Sequence, residues 1–218
     1  MRSIAVALPF LLAACGGSAS VVEEVPPELR RTVTAVPPAP DRWPSPLEGL
    51  AQGQWARYQE GAHKITTAVV LRDGDAWWIE TIVEGEPRLV SARRVEPDGT
   101  VTAARYAELG RDGLSEIVPQ PLTQAVDAEA PRWTEVARDV SKERVKVGAR
   151  ELEATVERIR YEDVEGRRRE VVQAWHPDVP PVRGSGPHGG LVRRESPLGS
   201  LTLVDFGTDA TGLVIRRP

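Results

Sequence analysis

The side chains best suited to chemistry lie in one stretch near the end of the sequence. His188 stands directly before Gly189 and Gly190, and Ser185 lies between two further glycines. Consecutive glycines can form an oxyanion hole, and a hydrolase serine lies in a Gly-x-Ser-x-Gly turn between a strand and a helix. The sequence around Ser185 does not have this Gly-x-Ser-x-Gly spacing. The sequence therefore predicts no catalytic residue, and we expect a protein that is not an enzyme.

Metal, cofactor and nucleic-acid binding are not expected either. His63, His176 and His188 are too far apart in sequence to form a helix or hairpin ligand set, so no metal site is predicted. No Gly-Lys-Ser/Thr sequence follows the glycines, so the sequence predicts no phosphate loop and no cofactor. The formal net charge of −4 gives no support to nucleic-acid binding.

The amino terminus predicts export from the cytoplasm. Arg2 precedes an apolar run from Ile4 to Ala14, and Cys15 follows directly. The run is shorter than the roughly 20 apolar residues that cross a bilayer, so residues 1–14 are interpreted as a cleaved signal peptide. Cys15 is the one cysteine of the chain and has no disulfide partner. A lone cysteine in this place indicates a chemical role of its own.

Residues Leu12-Ala13-Ala14-Cys15 resemble the lipobox of bacterial lipoprotein precursors at all four positions. The resemblance implies that the peptide before Cys15 is removed and that the Cys15 sulfur and amine carry acyl chains such as palmitate. Each buried methylene contributes ~0.8 kcal/mol, so two or three chains form a stable membrane anchor. Gly16 replaces the aspartate that retains many lipoproteins in the inner membrane. We therefore expect a lipid-anchored envelope protein, in the outer membrane and facing the periplasm.

Residues 15–46 are predicted to form a disordered tether behind the lipidated cysteine. The segment is rich in glycine, serine and acidic residues, and its prolines are Pro26, Pro27, Pro37, Pro38, Pro40, Pro44 and Pro46. Proline-rich chain favours an extended conformation of about 3.1 Å per residue, which gives a reach of up to about 90 Å. Residues 47–218 are then expected to form one domain with its own core.

The hydrophobic pattern of residues 47–218 has a period of two, which predicts strands with one buried face. Turn signals separate the alternating segments at Asp73-Gly74, Gly85-Glu86, Asp98-Gly99, Gly148-Ala149 and Gly166. The break in alternation between Ser115 and Pro131 predicts one or two short helical turns around Leu122, Ala125 and Val126. The expected fold class is mainly β: a single antiparallel sheet of about ten strands, strongly curved into a half-barrel.

Two resemblances concern the domain itself. An exported meander that ends in a glycine-rich loop and late strands is loosely similar to the LolA and LppX-like group of envelope lipoproteins, which implies binding of lipids or lipoproteins. A local pattern, Trp175-His176-Pro177-Asp178-Val179-Pro180 followed by Gly189-Gly190-Leu191-Val192, resembles exported β-rich proteins without an assigned activity. This second resemblance supports the fold class and implies no chemistry.

The tryptophans indicate a binding surface, because residues 47–218 contain five of them beside the single phenylalanine Phe206. Adjacent Trp77 and Trp78 must face opposite sides of a strand. One is expected in the core, and the other contacts a ligand or partner, or is covered by the tether or a loop. The predicted ligand- or partner-binding residues are Trp77, Trp78, Trp175, His176 and His188.

Arginine runs occur at Arg93-Arg94, Arg167-Arg168-Arg169, Arg193-Arg194 and Arg216-Arg217. Each run lies in or beside a predicted strand, so each places at least one guanidinium outward. Several of these guanidiniums close together would form a surface for anionic lipid headgroups. Nearby Glu162, Asp163, Glu165 and Glu170 favour ordinary solvated ion pairs instead.

These observations lead to one expected function and one alternative. We expect a membrane-anchored periplasmic lipoprotein that binds a lipid, another hydrophobic ligand or an envelope protein through the concave sheet face or the 176–192 loop. The alternative is a structural or assembly subunit of an envelope complex, with a filled core and recognition through an edge strand.

Overall fold

The computed structural model describes residues 33, 36–43, 47–124, 133–186, 188–197 and 199–215. The predicted signal peptide and Cys15 lie outside these residues. The described chain forms fifteen strands and no helix. Within it, no helix is long and apolar enough to cross a membrane.

The strands follow one another along the chain as β1 (Ala39–Pro40), β2 (Trp55–Glu60), β3 (His63–Asp73), β4 (Ala76–Val83), β5 (Arg88–Val95), β6 (Val101–Gly110), β7 (Gly113–Leu114), β8 (Val118–Pro119), β9 (Leu122–Thr123), β10 (Thr134–Val147), β11 (Arg150–Glu162), β12 (Arg168–His176), β13 (Ser185–Gly186), β14 (Gly189–Ser196) and β15 (Gly199–Gly207).

Thirteen of these strands form one sheet in the order β10-β11-β12-β14-β15-β2-β3-β4-β5-β6-β7, with β13 beside β14 and β8 beside β6. Every pairing within it is antiparallel, and the two ends of the sheet do not pair with each other. The prediction of a mainly β fold with a large antiparallel sheet is confirmed. The strand count differs from the predicted ten, because β7, β8 and β13 are two-residue strands that alternation does not reveal.

The sheet consists of two meanders joined by one long-range pairing. The first runs from β2 to β6 and the second from β10 to β15, and β15 pairs with β2. Leu203 is opposite Tyr58 and Leu201 is opposite Glu60 across this junction. The last strand of the domain therefore lies in the middle of the sheet, next to the first long strand.

The predicted turns are confirmed at the hairpins that build both meanders. Asp73 is opposite Ala76 across the β3–β4 turn, and Val147 is opposite Arg150 across the β10–β11 turn. Gly74 has a φ of 64°, which only glycine adopts without strain. The backbone conformation of this turn thus requires the glycine that the sequence shows there.

The predicted helical turns between Ser115 and Pro131 are not present in the described part of that segment. Leu122 lies in the short strand β9, which pairs with β1 in a parallel two-stranded sheet. Ala125 and Val126 lie outside the described residues. The prediction failed at Leu122 because the backbone there finds hydrogen-bond partners in the chain before the domain, and the hydrophobic pattern gives no sign of that pairing.

Part of the predicted tether packs on the domain. The Ala39 N–H donates to the Pro121 carbonyl at 2.8 Å, and the Trp43 N–H donates to the Gly99 carbonyl at 2.9 Å. Ala39 is fully buried, and Trp43 packs against a cluster that contains Ile79. Residues 36–43 are therefore anchored to the sheet rather than free.

Both faces of the sheet are covered at β4. Neighbouring residues of a strand point to opposite faces, and in β4 both Trp78 and Ile79 are buried. Trp78 packs in a cluster with Val214 and Ile215, while Ile79 packs in a cluster with Val95. The sheet therefore buries apolar side chains on two sides, and the segment after β15 covers one of them.

A buried carboxylate holds this last segment in place. Glu80 is 1% exposed, and its two carboxylate oxygens accept the backbone N–H groups of Leu213, Val214 and Ile215, each at 2.8 Å. Hydrogen bonds to a charged acceptor contribute more than neutral ones. Glu80 thus fixes the C-terminal segment over the cluster around Trp78.

We predict that Glu80→Gln lowers the free energy of unfolding by about 2 kcal/mol, because the amide replaces one acceptor with a donor that faces backbone N–H groups. Urea denaturation measures this change. The control Glu151→Gln alters an exposed side chain and should stay within about 0.5 kcal/mol of the parent. Equal stability of the two variants would contradict the role given to Glu80.

Candidate functional site

The two adjacent tryptophans of β4 are both involved in packing. Trp77 is half-buried against the clusters on one face, and Trp78 is buried on the other beneath the C-terminal segment. The Arg72 guanidinium lies 5.3 Å from the Trp77 ring centroid, and that of Arg105 lies 5.1 Å from the Trp78 centroid. Of the two arrangements expected for this pair, the structure has the covered one.

Trp175 supports the loop that follows β12. Its side chain is buried in the largest core cluster together with Val179 and Val182 of that loop. A Cβ at Gly186 would come within 2.8 Å of the Trp175 ring, so a residue without a side chain is required there. Trp175 therefore positions the loop, and its role in ligand or partner binding stays a prediction.

The paired glycines of the same motif allow two backbone segments to touch. A Cβ at Gly190 would collide with the carbonyl of Val179, and one at Gly189 would collide with the carbonyl of His176. The Gly190 N–H donates to the Val179 carbonyl at 3.1 Å. The Gly-Gly sequence thus lets loop 177–184 pack directly on the start of β14.

The two predicted histidines take part in local polar contacts. Nδ1 of His176 accepts the Asp178 N–H at 3.2 Å. Nε2 of His188 lies 3.9 Å from Oε1 of Glu157, a buried carboxylate that also accepts a hydrogen bond from Arg138 at 3.1 Å. In the described part of the chain, no three His, Cys, Asp or Glu side chains are placed to hold a metal ion.

The arginine runs divide between paired and unpaired side chains. Three of the runs contain arginines that form ion pairs with carboxylates: Arg94 with Asp73 and Glu96, Arg167 with Asp163 and Glu165, Arg168 with Glu162, and Arg193 with Glu143 and Glu195. The neighbours Arg93, Arg169 and Arg194 form no ion pair with any described residue. Arg216 and Arg217 lie outside the described residues.

The three arginines without an ion pair line a groove and an adjoining pocket. The groove has a volume of about 990 Å³ and lies across β11, β12, β14 and β15. Strand register explains the alignment, since Gln173 is opposite Arg194, Arg194 is opposite Leu201, and Leu201 is opposite Glu60. These four residues form a row across four strands and line the groove.

One end of the groove is aromatic. Tyr161 is opposite Arg169 on neighbouring strands. The Arg169 guanidinium lies 4.3 Å from the Trp133 ring centroid and 5.2 Å from that of Tyr161. Val171 and Leu201 add apolar surface to the lining. This end therefore offers flat aromatic and aliphatic surface next to a cation.

A smaller pocket of about 340 Å³ adjoins the groove and shares the lining residues Arg194 and Leu201 with it. Arg93 of β5 and Arg183 of loop 177–184 line it together with Arg194. The pocket lining is completed by Trp43, Thr67, Thr81, Val182 and Gly184. Three arginines from distant parts of the chain thus line one small pocket.

The lining of the pocket carries an excess of positive charge, with three arginines and no carboxylate among its described residues. Burial lowers the pKa of the Arg93 guanidinium from its ordinary value, and the nearby charge of Arg183 lowers it further. NH1 of Arg183 lies 3.5 Å from Oε2 of Glu60 but lacks the geometry of a hydrogen bond to it. Among the described residues lining groove and pocket, there are four arginines and one glutamate.

Many donors without an acceptor lie around the groove and the pocket. Seven described residues have a buried side-chain nitrogen without a hydrogen-bond acceptor, and five of them line the groove or the pocket: Trp43, Arg93, Trp133, Arg169 and Arg183. The other two are Trp175 and Arg193. Buried polar groups in folded proteins are nearly always paired. A group of donors without acceptors is the arrangement expected of a site whose ligand supplies the acceptors.

Comparison with known proteins adds no functional information. No family model matches the chain, and no curated protein matches it. Among solved structures, the chain is similar to the hypothetical protein CT021 from Chlamydia trachomatis, with 10% sequence identity and a TM-score of 0.41 over 77% of this chain and 93% of that chain. At this level of similarity the site must be understood from the residues of this chain.

We predict that Gly190→Ala displaces loop 177–184, because the added methyl collides with the Val179 carbonyl. Trypsin should then cleave after Arg183 at least ten times faster than in the parent protein, as followed by mass spectrometry. Gly85→Ala, in the turn between β4 and β5, is the control and should leave this cleavage unchanged. An unaltered rate for Gly190→Ala would show that the loop is held by other contacts.

Proposed function

We propose that this chain is a membrane-anchored periplasmic lipoprotein that binds a lipid or another hydrophobic ligand and catalyses no reaction. Cys15 carries the acyl chains, residues between it and the domain act as the tether, and the domain faces the periplasm from the outer membrane. The lipobox resemblance supports the anchor. The sheet is proposed to curve as a half-barrel around its contents.

The groove is the observation that carries the binding part of this proposal. Ligand sites are concave, mostly apolar and supplied with a few oriented polar groups, with volumes of about 300–1,000 Å³. The groove of about 990 Å³ combines Trp133, Tyr161, Val171 and Leu201 with polar side chains at its border. It is therefore large enough and mixed enough in character for an amphiphilic molecule.

A second candidate is a structural or assembly subunit of an envelope complex. Strand β10 supports it, because this strand of fourteen residues forms one edge of the sheet and pairs only with β11. Val136 and Val140 on it are 53% and 59% exposed. An open edge of this length can accept a strand of a partner protein.

We predict that Cys15→Ala, expressed in a bacterial host with lipoprotein processing, moves the protein out of the membrane fraction. Loss of the sulfur removes the acyl chains, whose burial provides the anchor. Fractionation and immunoblotting measure the distribution, and mass spectrometry of the parent protein should find the lipid on Cys15. Unchanged processing and membrane association of the variant would contradict the anchor.

We predict that the mature protein isolated from envelopes carries a hydrophobic ligand at near-stoichiometric level, detectable by native mass spectrometry and extraction. Val171→Arg in the groove should reduce this occupancy at least five-fold, since it adds a desolvated charge to the apolar wall. The control Val164→Arg changes a turn residue that is 88% exposed. Ligand-free parent protein would favour the subunit, and β10 would then be the surface to test.

A further inference from the structure

We propose that the pocket lined by Arg93, Arg183 and Arg194 binds a phosphate group. The inference rests on the proposed function in one respect, namely that the rest of a phosphate-bearing ligand lies in the adjoining groove. The phosphate belongs to a lipid or is free in solution, and both sources present the same oxygen acceptors to the pocket.

The sheet separates the charges of adjacent arginines. Neighbouring residues of a strand face opposite sides, so Arg93 and Arg94 point apart, as do Arg193 and Arg194. Arg94 and Arg193 form ion pairs, while Arg93 and Arg194 reach the pocket without one. In a chain with a net charge of −4, this collects positive charge at a single place.

Polar side chains other than arginine also line the pocket. Thr67 is 1% exposed and lines it, and its hydroxyl forms no hydrogen bond to another described residue. Thr81 is directly opposite Thr67 on the neighbouring strand and lines the pocket as well. Two hydroxyls beside the guanidiniums add neutral donors, a combination common around bound phosphate.

Several guanidiniums in one pocket select the kind of anion. A guanidinium is planar and binds two oxygens at once, and several guanidiniums suit a tetrahedral group with several oxygens better than a flat carboxylate. Arg93 lies in β5, Arg183 in loop 177–184 and Arg194 in β14, so the three lining arginines come from three separate parts of the chain. The geometry therefore favours phosphate over a carboxylate ligand.

The arginines of the pocket lie next to buried residues. Arg93 is opposite the fully buried Ile79 on the next strand, and Arg194 is opposite Leu201. Arg183 is held by its loop, whose Val182 is fully buried. Positions fixed in this way keep like charges together before a ligand arrives, so the ligand relieves their repulsion.

The test is isothermal titration calorimetry with the full mature chain carrying Cys15→Ser, so that no acyl chain is attached. The probes are inorganic phosphate, dihexanoyl phosphatidylglycerol below its micelle concentration, and dihexanoyl glycerol, which lacks phosphate. Arg93→Gln and Arg194→Gln should each weaken binding of the phospholipid at least ten-fold. Arg94→Gln and Arg193→Gln remove the same charge on the opposite face and should change binding less than three-fold.

The probes separate the two sources of phosphate and the two proposals. Loss of phospholipid binding in the pocket variants, with weak binding of dihexanoyl glycerol, supports both the phosphate site and the lipid groove. Binding of inorganic phosphate alone, lost in the same variants, supports the phosphate site and contradicts the lipid groove. Equal binding of both lipids, unaffected by the pocket variants, overturns the phosphate site and leaves the lipid groove standing.

Thermal denaturation of each variant establishes that the fold is retained. Arg183→Lys provides a further check, because it keeps the charge and loses the bidentate geometry. It should weaken binding by a smaller factor than Arg183→Gln. Identical losses in these two variants would overturn the role of Arg183 as a charged ligand to phosphate.

Discussion

The two-residue repeat of the β-strand is the constraint on which the candidate site depends. Because neighbouring side chains face opposite sides of a sheet, each pair of adjacent arginines is divided between two environments. On one side, Arg94 and Arg193 meet carboxylates and form ion pairs of the ordinary surface kind. On the other side, Arg93 and Arg194 reach a pocket that contains no carboxylate among its lining residues in the described chain.

Long-range packing brings these arginines together. The pairing of β15 with β2 joins the two meanders, and without it Arg194 and Arg93 would belong to separate sheets. Arg183 is added by a loop that packs backbone to backbone on Gly189 and Gly190. The same motif that resembled an oxyanion hole in the sequence thus has a packing role, and its contribution to binding is to place Arg183.

Local signals in the sequence predicted much of the sheet and little of the site. Turn dipeptides such as Asp73-Gly74 and the alternation around them depend on neighbouring residues, so these hairpins could be predicted. The pairing of β15 with β2 and of β1 with β9 joins residues far apart in the chain, and no local pattern encodes it. Trp78 and Trp175 were predicted to bind a ligand or partner because they are large and aromatic, yet both are buried. The arginine runs are visible in the sequence, but which of their side chains come to line the same pocket depends on the order of the strands in the sheet.

The most direct test of the arginine pocket is a side-chain NMR titration of the arginine Nε–Hε groups with glycerol phosphate. Each guanidinium reports separately, so the two members of one arginine pair can be compared within the same spectrum. We predict that the resonances of Arg93, Arg183 and Arg194 shift and saturate together, while those of Arg94 and Arg193 stay in place. Shifts of equal size in all five, or none in the first three, would contradict the account.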